Sequence, residues 1–419
     1  MTQPTSLAAR PAAVAFVLVT ITLDVIAMGL VIPVLPKLVE TLSGGDTAQA
    51  ARVFGVFGIA WALMQLIFSP LHGMLSDRFG RRPVLLLSNL GLGLDYVLCA
   101  VAPDLGWLFV GRVVSGIFAA SFSTATAYIA DVTAPAERAQ KFGLVGAAFG
   151  MGFVLGPALG GLLGHADPRL PFWAAAALSL TNALYGFFIL PESLAGKDRS
   201  AFAWSKANPL GALQLLRSNA ILKGLAVVQL LFHISHASMP AVFVLYAGYR
   251  HGWTERDVGV SLAVAGICSG IVQALLVKPV IARLGERTTL LVGLGCGVLG
   301  FVCYGLAPTG WLFLLSIPVA SLWGLASGPI QAIMSRLVSP SEQGRLQGAN
   351  SSVMGIGSLI APVLFTQVLA WAITGAPAPS ARLPGAPFLL AAVLLSFATL
   401  VAWRVTPVQE SPRRRAEPS

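Results

Sequence analysis

Gly73-Met-Leu-Ser-Asp-Arg-Phe-Gly-Arg-Arg82 is a charged, glycine-bearing decapeptide set between two long apolar runs. A worn copy, Lys278-Pro-Val-Ile-Ala-Arg-Leu-Gly-Glu-Arg287, follows 205 residues downstream. Gly80 pairs with Gly285, Arg78 with Arg283 and Arg82 with Arg287. The same offset matches Pro135 with Pro340, Glu137 with Glu342, Gly143 with Gly348 and Pro157 with Pro362. One offset that links connecting segments and apolar runs is the mark of an internal duplication. Two such halves read as two bundles with a substrate path between them near the membrane midplane.

The chain has 419 residues, of which 56% are hydrophobic and only 11% charged, against about 25% charged in a soluble domain. Its mean hydropathy is +0.79, so lipid must be its solvent. Apolar runs of about 20 residues fall at 13–35, 51–71, 83–102, 105–129, 142–164, 170–190, 220–247, 258–280, 288–307, 310–334, 347–372 and 384–403. The expected fold is therefore an all-α membrane protein of twelve transmembrane helices in two six-helix bundles, 1–190 and 220–419. A hydrophilic cytoplasmic linker, 191–219, joins them and carries Lys197, Asp198, Arg199, Lys206 and Arg217. With the N-terminus inside, 20 of the 27 lysines and arginines lie on cytoplasmic segments, which the positive-inside rule requires. Both termini are expected in the cytoplasm. The net charge of +10 thus follows topology and does not point to nucleic acid. Cys99, Cys268, Cys296 and Cys303 all fall within spans and read as packing residues, with neither disulfide nor metal spacing.

Only Asp24 and Asp95 are acids deep within spans. Asp24 lies about 16 Å into its span by helix rise, near the midplane. A carboxylate there costs about 2.5–3.5 kcal/mol on insertion scales and is a functional candidate by default. Arg112, in span four, needs a partner; Asp95 is the first choice and Asp24 the second. Gly152, Gly156 and Gly160 line one face of span five, next to Gly161 and around Pro157, which reads either as a packing seam or as a hinge. In the charged segment, Gly73 and Gly80 are expected to permit a tight turn, and Arg78, Arg81 and Arg82 to hold the inner leaflet. Asp77, an acid among bases, is expected in a gating network that Asp131 could join. Its counterpart is Ala282, so the second latch should be weaker. The second half offers Gln229, His233 and His236 in span seven, with Trp323, Gln331 and Asn350 as further cavity candidates.

These residues carry a resemblance. Gly73 to Arg82 resembles the signature segment of the major facilitator superfamily, and Arg112 with Gly116 its span-four motif. Gly152 to Gly161 resembles the span-five motif of its drug–proton antiporters. Asp24, followed by Gly29-Leu-Val-Ile-Pro-Val-Leu-Pro36, is similar to the first span of the twelve-span drug exporters. The fullest likeness is to the tetracycline–proton antiporters of Gram-negative bacteria, over about Asp24 to Trp371. It implies that Asp24 and Asp95 handle substrate and protons, that Asp77, Arg81 and Asp131 gate, and that Arg112 supports coupling. It also implies a bacterial inner-membrane carrier that works as a monomer on a drug-like substrate, a metal chelate in the tetracycline case. Those antiporters also use a histidine in span eight and an aspartate in span nine; here Ser269 and about Gly297 stand there.

The expected function is drug/proton antiport without a cofactor. A metabolite carrier of the same fold, by symport or uniport, is the alternative, and the span-five glycines and proline argue against it. A membrane-embedded enzyme is disfavoured, because the chain lacks a phosphate-cradling glycine loop, a metal cluster and a nucleophile–base motif.

Overall fold

The computed structural model describes residues 10–119, 121–133, 137–194, 215–339, 342–375 and 382–406. Pro135, Pro340, most of the expected linker (195–214) and the basic tail at 413–415 lie outside them. The described residues are helical almost throughout and contain no strand.

The first pass is α1 (Arg10–Val31) and α2 (Leu35–Leu42), with a turn at residues 32–34 where Pro33 interrupts the ladder. It is followed by α3 (Thr47–Phe79) and α4 (Arg81–Val101). The fourth pass is α5 (Leu105–Phe118) and α6 (Ser121–Val132), followed by α7 (Arg138–Ala166) and α8 (Leu170–Ile189). The second half starts with α9 (Ala220–His251) and α10 (Glu255–Ile271), which runs through one π-helical turn (Val272–Leu276) into α11 (Val277–Leu306). Next come α12 (Gly310–Ser321), a 3₁₀ turn (Leu322–Ala326), α13 (Ser327–Arg336), α14 (Gln343–Thr374) and α15 (Ala386–Val405). Gly285, at φ 76° and ψ 166°, breaks the run from α10 to α11 into two passes. Ten of the described helical stretches are long and apolar enough to cross a membrane, and Leu105–Phe118 is a shorter apolar helix; with the break at Gly285 the arrangement is consistent with the twelve expected spans.

The decapeptide is not a loop. Helix α3 continues to Phe79, Gly73 is helical, and the reversal is made at Gly80 alone, at φ 108°. Gly285 does the same in the second copy. A single residue in a positive-φ conformation, which only glycine adopts without cost, turns one membrane helix into the next. Charges at a helix end are solvated at the headgroups and do not stop the helix.

Side chains cap other helix starts. Asp104 accepts from Trp107 N at 3.1 Å to start α5, and Asn219 accepts from Ile221 N at 2.8 Å to start α9. Thr254 and Asp257 form a reciprocal capping box ahead of α10, satisfying helix donors that lipid cannot. The exposed tryptophans Trp107, Trp173, Trp311 and Trp371 lie near helix ends, where membrane proteins place an aromatic belt.

The helices form two compact units. Unit 1 holds residues 1–45, 60–207 and 254–263, and unit 2 the remainder. In unit 1, Phe16, Val17, Ile21 and Val25 of α1 bury against Leu85, Tyr128, Ile129 and Val145. In unit 2, Phe243, Tyr304, Phe313 and Phe388 form a packed aromatic core.

The span-five glycines form a backbone-to-backbone seam. A methyl on Gly156 would come 2.6 Å from Gly29 Cα, and one on Gly152 2.7 Å from Val25 Cβ. Gly160 faces the backbone of Leu30, and Gly161 faces that of Gly259. Helix α7 runs on through Pro157. Overpacking of this kind costs about 1–3 kcal/mol. Gly156→Val should therefore lower the melting temperature of the purified protein in detergent by several degrees. Gly143→Ala, which meets nothing within 4 Å, should melt like the parent.

Candidate functional site

Asp24 faces away from the seam, toward α4 and α8. Asn182 Nδ2 of α8 donates to its Oδ1 at 3.0 Å and approaches Thr20 O at 3.3 Å. The Asn89 amide of α4 is satisfied when its nitrogen faces the carboxylate, at 3.1 and 3.3 Å, and its oxygen accepts from Asn182 Nδ2 at 3.0 Å. Both asparagines are buried. The carboxylate is thus held by oriented amide dipoles, which lower the penalty of a charge in hydrocarbon.

Asp95 is matched differently. It is 1% exposed, and Arg112 Nη2 of α5 reaches its Oδ2 at 3.4 Å. Cys99, one turn along α4, contributes Sγ 3.6 Å from Asp95 Oδ1 and 3.7 Å from Arg112 Nη2. Cys99 is therefore part of a polar cluster and not the packing residue its sequence context suggests. Gly111 makes room for this group: a methyl there would sit 2.9 Å from Asp95 Oδ1. Buried Tyr96 lies within electrostatic reach of Asp95, Arg112 and Asp24 together.

At the helix ends, Arg81 gathers the network. Its Nη1 pairs with Asp77 at 2.6 Å and donates to Ser76 Oγ at 2.6 Å, and its Nε reaches Asp131 at 3.1 Å. The carboxylate of Glu192 accepts from Arg81 N at 2.8 Å, at the N-terminus of α4, where negative charge is favoured. Arg78 lies over the Phe79 ring, and Arg82 donates to Phe187 O. In the second copy Arg287 donates to Trp403 O at 3.1 Å, near the end of α15. The counterpart of Arg81 is Glu286, that of Asp131 is Arg336, and these two form an ion pair. The second latch is not simply a weakened copy through Ala282. It is the same pair with its charges exchanged.

In unit 2, Phe232 and His236 stack on the indole of Trp323, and Asn350 Nδ2 donates to Gln331 Oε1 at 3.0 Å. Gln229 is buried and His233 half-buried. Ser269 is half-buried in α10. Gly297 lies against Trp323, whose Cβ would be 3.1 Å from a methyl on the glycine. A side chain there would press on Trp323 Cβ and Leu395, which would have to give by a few tenths of an ångström.

Comparison with known proteins follows the geometry. The Major Facilitator Superfamily pattern matches residues 17–362. The chain belongs to that superfamily. It is 39% identical to the class C tetracycline resistance protein of Escherichia coli, over 84% of this chain and 89% of that one. It is 38% identical to the class G tetracycline resistance protein of Vibrio anguillarum, over 83% and 88%. Its fold matches the crystal structure of the human organic anion transporter MFSD10 (TETRAN), with a TM-score of 0.67, 23% identity and coverage of 96% and 100%.

Within this major facilitator, sequence reasoning missed Asn89, Asn182, Cys99 and Glu192. Neutral amides and thiols in apolar runs carry no signal until a charge is placed beside them. Glu192 has no echo at the 205-residue offset, where Phe397 stands.

Removing one member of a buried ion pair costs about 3–5 kcal/mol, whereas replacing both costs far less. Arg112→Leu should thus destabilise the protein more, by thermal melting, than the double variant Asp95→Leu/Arg112→Leu. At the helix ends, Arg81 is mostly shielded and Arg336 is 55% exposed. Arg81→Ala should cost about 2 kcal/mol and Arg336→Ala less than about 1 kcal/mol, readable in the same melts.

Proposed function

We propose that this chain is a proton-driven exporter of drug-like small molecules, of the kind that confers tetracycline resistance. It works as a monomer in a bacterial inner membrane, with both termini in the cytoplasm. The observation that carries the reading is how the two acids within the spans are held. Asp95 is balanced by a full opposite charge, while Asp24 is held by the amides of Asn89 and Asn182. Protonating Asp95 would strand Arg112 as an uncompensated buried cation, a costly state. The amides of Asn89 and Asn182 can hydrogen-bond Asp24 in either protonation state. Asp24 is therefore the group that exchanges protons, and Asp95 with Arg112 fixes the field around it.

Neutralising Asp24 relaxes the penalty that ties it to one arrangement of α1, α4 and α8, so proton binding shifts the population between two carrier states. The Arg81 network with Asp77 and Asp131 biases one state, and the α7 seam around Pro157 serves as the pivot. The relatives named for tetracycline resistance support a drug-like cargo, taken as a metal chelate in the tetracycline case. The positive-inside count supports the orientation.

Uptake of labelled tetracycline into inverted membrane vesicles under an imposed pH gradient tests the proposal. Asp24→Asn should reduce gradient-driven uptake at least tenfold, and an uncoupler should abolish it in the parent. Undiminished gradient-driven uptake by Asp24→Asn would overturn the proton role of this residue.

A further inference from the structure

The surroundings of Asp24 hold more oxygen than a proton needs. Asn182 of α8 touches α1 at two points, with its Nδ2 3.0 Å from Asp24 Oδ1 and 3.3 Å from Thr20 O. Thr20 stands one turn before Asp24, so the two side chains share a face of α1. Thr20 and Asn182 are 2% and 0% exposed, yet Thr20 Oγ1 and Asn182 Oδ1 have no hydrogen-bond partner. Thr22, two residues on, meets its need in the ordinary way and donates to Leu18 O at 2.8 Å. Thr20 Oγ1 does not turn to its own helix. Native proteins seldom leave such a buried polar atom unmet without a reason.

The Asn89 amide of α4 adds a third point. Its outer atom stands 3.1 and 3.3 Å from the two carboxylate oxygens. An amide carries donors at one end and an acceptor at the other, and a half-turn exchanges them in place. With nitrogen inward, Asn89 donates to Asp24. With oxygen inward, it stands beside the carboxylate oxygens at the spacing of ligands to one cation, which an ion of calcium's size takes at about 2.3–2.6 Å. Asn182 can turn in the same way and bring its unmet Oδ1 to the carboxylate.

We propose that Asp24, Asn89, Asn182 and Thr20 form a binding site for a monovalent alkali cation of sodium's size, which competes with the proton for the carboxylate. Oxygen ligands without sulfur or imidazole suit a hard ion and not a transition metal. One positive charge cancels one carboxylate, whereas a divalent ion would leave net charge buried in the span, a costly state. Other titratable groups nearby have their own places. Tyr96 of α4 lies within electrostatic reach, Asp95 pairs with Arg112 and Asp131 with Arg81. Tyr128 of α6 donates to Pro191 O, Tyr185 of α8 stacks on Phe16, and α7 lays glycines against α1. The inference rests on the exporter reading for the proton's place at Asp24, and it adds a second ion at the same carboxylate.

Equilibrium binding of radiolabelled sodium to the purified full chain in nanodiscs tests it, with choline replacing sodium at constant ionic strength. The parent should bind sodium saturably, and Kd should rise as the pH falls, because a protonated Asp24 no longer attracts the ion. Kd should rise at least tenfold in Asn182→Ala and at least fivefold in Thr20→Val, and less than threefold in Thr20→Ser, which keeps the hydroxyl. Sodium should also raise the melting temperature of the parent above that in choline. Melting identifies any variant that fails to fold, and the near-isosteric Thr20→Val keeps the test open if Asn182→Ala does. Absence of saturable sodium binding by the parent, an affinity that ignores pH, or parental affinity in folded Thr20→Val and Asn182→Ala overturns the site. Gradient-driven tetracycline uptake without sodium binding also overturns the site and leaves the exporter reading standing. Sodium binding without gradient-driven uptake overturns the exporter reading and leaves the site standing.

Discussion

A carboxylate placed in hydrocarbon has to be matched within a few ångströms by its own protein, and unit 1 is arranged around two such matches. The α1–α7 seam fixes the rotation of α1, because Val25, Gly29 and Leu30 are pressed against α7 with no room to turn. That rotation leaves Asp24 on the opposite side, facing the amides of α4 and α8. On the far side of α4, Asp95 reaches Arg112 only because Gly111 offers no side chain in the way. Small residues thus determine where the charges point. Membrane helices have little hydrophobic drive to associate, and close backbone approach replaces it.

The two units solve the problem of polar groups in lipid by different chemistry. Unit 1 buries formal charge and balances it. Unit 2 buries amides and ring faces between α9, α13 and α14, with charge kept to the helix ends.

The membrane-spanning helices were legible in the sequence because apolar length is a direct consequence of bilayer thickness. The duplication was legible because Gly80 and Gly285 have to be glycine wherever a helix reverses through positive φ. The Arg112–Asp95 contact was foreseeable because an intramembrane cation must have an acid. Other features were hidden for physical reasons. Residues 73–79 carry charge, which suggests a loop from composition, yet the headgroup region tolerates charge on a helix. Asn89 and Asn182 come from distant helices and only their convergence on Asp24 gives them meaning. Gly297 read as a missing acid, while in space it is the seat of Trp323.

The exchange of charge between the two copies of the helix-end pair bears on how the chain finds its own partners. Helix α3 ends, and α11 begins, in related segments that share a glycine and two arginines, and both must dock beside the correct later helix as the chain inserts. Had both copies kept an arginine opposite an aspartate, either segment could have settled on either partner. With Arg81 opposite Asp131 and Glu286 opposite Arg336, the crossed pairings set like charges together, Arg81 on Arg336 and Glu286 on Asp131. Repulsion against the wrong partner is as much a source of specificity as attraction to the right one. The reversed pair works as an address label, by which each repeat rejects the helices of its sibling.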